Sequence, residues 1–115
     1  MILNLIDIKY WYIIKYIHIY IVMYSSCQFQ KYLVEFFGTL FFLYIIISVG
    51  NPIAIGAALT LSIFLGGKIS GGNFNPAVTI MMTMAKKMKM VDAFPYIVAQ
   101  VLGGLVALQL YKMLY

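Results

Sequence analysis

Apolar stretches separated by short polar breaks set the plan of this chain. Tyr32 to Val49 (YLVEFFGTLFFLYIIISV) is apolar except for Glu35 near its entry end and a few small hydroxyls. At a helical rise of 1.5 Å per residue it covers about 27 Å, close to the hydrocarbon thickness of a bilayer. Gly50-Asn51-Pro52 ends it, because proline cannot continue a helix and Asn-Pro favours a turn. A second, shorter span runs from Ile53 to Gly67, with Lys68 snorkelling at its end, and a third from about Ala93 to Tyr111. Asp92 is the expected N-cap of the third, with Pro95 in its first turn.

The segment between the second and third spans has a different pattern. Ser70 to Ala85 (SGGNFNPAVTIMMTMA) opens on flexible glycines and reaches Asn75-Pro76, a favoured N-cap followed by a favoured first helical residue. The apolar helix after it has about half the length of a span before Lys86, Lys87 and Lys89 end it. A short, capped, apolar helix reads as a re-entrant half-helix. Its irregular entry, Ser70 to Phe74, is tolerable at membrane depth only inside protein or beside a water-filled cavity.

Residues 1–24 are apolar, but Asn4, Asp7, Trp11, Lys15 and His18 fall on one helical stripe. This pattern predicts a helix lying at the membrane surface, since a lysine at mid-span costs about 2.5–3.5 kcal/mol on insertion scales. It lacks the basic start and small-residue cleavage site of a signal peptide. A separate reading takes Met23 as the true start and residues 1–22 as upstream sequence, which intact-mass measurement of the native product would decide. The expected organisation is an N-terminal apolar and amphipathic segment, 1–30, followed by a membrane unit, 31–115.

Composition agrees with a membrane protein. Apolar residues are 64% of the chain and charged residues 10%, against about 45–50% and about 25% in soluble domains. Mean hydropathy is +0.97. A soluble globular domain and a disordered chain are both excluded. The formal charge of +5 comes from eight lysines, no arginine and three acids. Because the lysines sit between apolar runs, they mark topology and not a nucleic-acid surface. Lys31, Lys68, Lys86, Lys87 and Lys89 fall on one side of this threading and Lys112 on the other, which puts the first group in the cytoplasm. The single Cys27 cannot form an internal disulfide, and with His18 it gives no metal-ligand spacing. The sequence holds no nucleophile–base pair or phosphate loop, so neither an enzyme nor a cofactor is expected.

A half-helix with its N-terminus at the midplane concentrates about half a positive charge and unpaired N–H groups there. It repels cations and attracts oxygen lone pairs. The Asn75 side chain adds amide donors, so a small neutral, hydrogen-bonding solute is favoured over an ion.

The string SGGNFNPAVT resembles the first signature loop of the major intrinsic protein (aquaporin and glycerol channel) family, with Asn75-Pro76-Ala77 as its NPA box. Glu35-Phe36-Phe37-Gly38-Thr39 resembles the family's first-helix motif, and Ala99-Gln100-Val101-Leu102-Gly103-Gly104 its third-helix motif. The resemblance covers about residues 31–113. It implies an all-α membrane fold: three transmembrane helices and one re-entrant half-helix, one of the two inverted repeats of that fold. Asn75 would be the pore donor, with Pro76 and Ala77 shaping the half-helix start. Glu35 and Gln100 would support the loop. Ile55 would form one wall of the selectivity constriction, where an aliphatic side chain implies a wider opening than the aromatic of strict water channels. Gly38, Gly56, Gly103 and Gly104 would allow close helix crossings.

The departures from the family pattern are Asn73 and Lys68 at frequent histidine positions, a short first loop, and no second NPA box or constriction arginine. One repeat leaves the half-helix tip exposed and cannot close a pore. The implied partners are lipid, water or a small neutral solute such as glycerol, a second half-repeat or full-length channel, and an oligomer, in the family a tetramer. The implied function is a channel component incomplete on its own. The alternative is a non-conducting interaction protein that packs with full-length channels.

Overall fold

A computed structural model describes residues 2–115, with side chains from Asp7 onward. It contains four helices: α1 (Ile2–Val49), α2 (Pro52–Ser70), α3 (Pro76–Met84) and α4 (Met90–Leu114). Asp7–Val49 of α1, all of α2 and all of α4 are long and apolar enough to cross a membrane. α3 has nine residues, about 13 Å of rise, and is a half-span.

The N-terminal segment is helical, as the pattern predicts, but no break separates it from the first span. The two form one 48-residue helix. No glycine or proline occurs before Gly38, and Ser26 bonds back to the Val22 carbonyl at 2.9 Å instead of capping. Nothing in the sequence therefore stops the i→i−4 ladder. The helix accounts for the 74 Å long axis of the molecule.

The helix breaks follow their local chemistry. Gly50 is left-handed at φ 66, and the Asn51 side chain accepts from the amides of Ile53 and Ala54, with Pro52 at the first helical position. α2 continues past Gly67 to Ser70 and stops at Gly71, φ 95, whose N–H bonds the Gly67 carbonyl. α4 starts three residues earlier than expected. Lys89 occupies its cap position with no side-chain cap bond, and Asp92 lies in the first turn instead. A carboxylate there still complements the helix dipole. Pro95 is inside the helix and not in its first turn.

α1 is the central element, packing on α2 and on α4, while α3 packs on α4. At the lysine-rich end the Tyr96 hydroxyl of α4 donates to the Ser70 carbonyl at 2.5 Å. Without a hydrophobic drive between helices in lipid, close approach depends on small residues. At Gly103 a Cβ would lie 2.5 Å from the Phe36 carbonyl oxygen and 3.1 Å from the Leu40 nitrogen, so backbone meets backbone. At Gly104 it would meet Leu43 at 2.8 Å. At Gly56 nothing among the described residues lies within 4 Å of the Cβ position, so it makes no close crossing within this bundle. Gly103→Ala should separate α1 from α4 by a few tenths of an ångström and destabilise the fold by about 2 kcal/mol. A lowered unfolding midpoint in mixed micelles would check it.

The interior is rich in polar groups and the outside is apolar. Glu35, Thr39, Ser62, Asn73, Thr79 and Gln100 are buried, whereas Ile53, Phe64, Phe94 and Met113 are more than 70% exposed. That inversion is what a lipid solvent selects.

Candidate functional site

The buried polar groups converge on Glu35. Its Oε1 accepts from the Ser70 hydroxyl at 2.6 Å and the Asn73 amide at 3.0 Å. Its Oε2 accepts from the Phe74 amide at 2.7 Å and from Gln100 Nε2 at 2.9 Å. Gln100 Nε2 also donates to Thr79 Oγ1 at 2.8 Å, and that hydroxyl accepts from Asn73 Nδ2 at 3.1 Å. One carboxylate thus ties α1 to the irregular loop after α2, and through Gln100 to α3 and α4. Each backbone N–H it receives is a donor the loop could not satisfy in lipid.

Phe74 links this network to the half-helix. It is left-handed at φ 49, a conformation that costs a side-chain-bearing residue about 1–2 kcal/mol. Two features hold it there: its N–H on Glu35 and its ring, 1% exposed, seated in the space left by Gly38 and Gly66. Asn75 follows with extended backbone, and its Oδ1 accepts from the Ala77 amide at 2.8 Å. This is a helix cap. It leaves the Nδ2 hydrogens of Asn75 uncommitted among the described residues.

Asn75 and Ala77 are exposed and Pro76 half-buried. Asn75 and Pro76 line an open cavity of about 400 Å³ with Thr39, Phe42 and Leu43 of α1 and Gln100, Val101 and Gly104 of α4. Those residues lie near the middle of the 32–49 stretch and of α4, so the half-helix tip sits midway along the apolar helices. Thr39 Oγ1 is buried in the same cavity wall and has no hydrogen-bond partner among the described residues.

The structure brings together Glu35, Gln100, Gly38 and the Asn75-Pro76-Ala77 tip. It does not bring Ile55 to them: that side chain is half-buried at the start of α2, away from the residues lining the Asn75 cavity. Ser70, Phe74, Thr79 and Tyr96 carry bonds or packing that sequence reasoning assigned to none of them. One signal was present for Thr79, a polar residue near the start of an otherwise apolar helix, PAVTIMMTM.

The Major intrinsic protein profile matches residues 48–115. The chain belongs to the major intrinsic protein family. Among curated relatives, it is 41% identical over 87 residues to Glycerol uptake facilitator protein-like 6 of Lactiplantibacillus plantarum, covering 68% of this chain and 40% of that protein. It is 44% identical over 59 residues to Aquaporin Z of Photorhabdus laumondii, 51% of this chain and 26% of that protein. It is 32% identical over 103 residues to Probable aquaporin PIP2-6 of Oryza sativa, 73% of this chain and 36% of that protein. The chain therefore spans less than half the length of these relatives. No solved structure matches it significantly. With three helices able to span and an apolar exterior, this member of the major intrinsic protein family is a multi-pass integral membrane protein.

Proposed function

We propose that this chain forms one wall of a passive channel for water or small neutral solutes such as glycerol, and that a second half-repeat must supply the facing wall. The observation that carries this reading is the Asn75 tip. Its oxygen is committed to the Ala77 amide, its Nδ2 is uncommitted, and it lines an open cavity midway along the apolar helices. A donor at the positive end of a helix is suited to a solute oxygen and unfavourable to a cation. The Thr39 hydroxyl in the same cavity, without a partner among the described residues, supports the reading further, since a buried polar group requires a partner from whatever completes the space. Glu35 and Gln100 hold the loop that aims the tip. Ile55, toward the other end of α2, would form part of the constriction.

Co-reconstitution with the C-terminal half of a full-length relative, read by osmotic swelling of vesicles, tests the proposal. Water or glycerol flux should rise above that of empty vesicles. Asn75→Asp should remove most of that gain, because a carboxylate keeps the cap acceptor but offers no donor and cancels the helix-end charge. No gain over empty vesicles would count against conduction and favour a non-conducting role.

A further inference from the structure

A second cavity, of about 360 Å³, opens at the lysine-rich end, between α1, the loop after α2 and the start of α4. It lies within the usual size range of small-ligand sites, about 300–1,000 Å³. Lys31 of α1 and Lys87 and Lys89 of the α3–α4 connection all line it, although they come from distant parts of the sequence. The turn that places the latter two is unusual. Lys86 takes the left-handed conformation, φ 59, where glycine is the ordinary occupant. Its N–H bonds the Thr83 carbonyl, and the Lys87 N–H the Met82 carbonyl, closing the end of α3. The N-terminus of α4 opens at the same place, with no side-chain cap on it, and so adds the positive end of a 25-residue helix.

The lining also contains acceptors. Asp92 is there, and so is Gln28, whose Nε2 donates to the Tyr24 hydroxyl at 3.0 Å. Gln28 Oε1 is buried and has no partner among the described residues. Three cations against one carboxylate leave a net positive cavity, while the amide oxygen requires a hydrogen-bond donor. Lys31 immediately precedes the apolar 32–49 stretch, a position that would set the cavity at the level of lipid headgroups.

We propose that this cavity binds a phosphate ester that carries hydroxyl groups: the phosphate is held by Lys31, Lys87 and Lys89, and the hydroxyls meet the acceptor-bearing residues of the lining, Asp92 and Gln28. The glycerol headgroup of an anionic phospholipid and a soluble glycerol phosphate share this chemistry. The site is separate from the Asn75 cavity, and the proposal stands whether or not the chain conducts.

The test uses the full chain in phosphatidylcholine nanodiscs, with two arms. In one, phosphatidylglycerol is mixed in and native mass spectrometry counts the lipid retained. In the other, glycerol 3-phosphate is dialysed against pure phosphatidylcholine nanodiscs. The triple variant K31Q/K87Q/K89Q is compared with K9Q/K15Q/K112Q, which loses the same charge elsewhere. Saturable binding is expected in at least one arm, and the arm identifies the source. The first triple should weaken it on the order of a hundredfold, about fivefold per lysine, and the second less than a few-fold. No saturable binding in either arm, or equal losses in the two triples, would overturn the proposal.

Discussion

Glu35→Gln should release the loop between α2 and α3 while leaving the helices in place. The carboxylate accepts four hydrogen bonds, two on each oxygen. An amide of the same shape keeps one acceptor and presents an NH₂ where the other oxygen stood. Two donors then face a donor, inside a site from which water is excluded. Removing one member of a buried charged network costs about 3–5 kcal/mol, and bonds to charged groups contribute about 1.5–3 kcal/mol each. The Asn73 and Phe74 amides sit on different oxygens, so the loss falls on whichever of the two faces the NH₂, and its hydrogen exchange should accelerate by roughly two to three orders of magnitude at 1.4 kcal/mol per tenfold. The Gly71 amide, bonded to the Gly67 carbonyl at 2.8 Å, does not depend on Glu35 and is the internal control. Unchanged exchange at Asn73 and Phe74 would show that the carboxylate is not what secures the loop.

This network also marks the boundary between what the sequence discloses and what it conceals. Asn75-Pro76 announces a helix start, because a cap followed by a fixed φ is local chemistry, and the cap is made; Asn51-Pro52, read as the turn that ends the first span, caps the next helix as well. The half-length of α3 is legible for the same reason. The continuity of α1 is not legible from its polar stripe. A stripe records which way side chains face, whereas a helix ends only where a cap, glycine or proline makes ending favourable. Between residues 2 and 37 none does.

Glu35 in an apolar run signals that it needs partners, but Asn73, Phe74 and Gln100 lie 38 to 65 residues away. Their convergence is a property of the packed bundle. The glycines make the same point. Gly38, Gly56 and Gly103 look alike in sequence, yet their missing Cβ positions face an aromatic ring, open space and a neighbouring backbone respectively.

Gly38→Ala separates these cases by experiment and reaches the half-helix tip. A Cβ at position 38 would clash with the edge of the Phe74 ring, within 2.8 Å of three of its atoms. The ring also lies close to Gly66 and Gly72, 3.2 and 3.4 Å from the Cβ positions they lack, so the expected response is a retreat of the ring that draws the Phe74 backbone with it. That removes the ring packing which offsets the left-handed φ and lengthens the amide bond to Glu35. Emptying an aromatic site costs about 3–5 kcal/mol in soluble cores. Here the low end, about 3 kcal/mol, is expected, because a displaced ring finds lipid as apolar as its pocket.

Gly56→Ala is the matched control. Its Cβ meets nothing, and alanine is the better helix former by roughly 0.5–1 kcal/mol, so its unfolding midpoint should hold or rise while that of Gly38→Ala falls. Faster exchange of the Phe74 amide in Gly38→Ala alone would locate the damage one residue before Asn75. The aim of that donor would then depend on a ring-sized space in α1. Equal behaviour of the two alanine variants would remove Phe74 as the element that sets the tip.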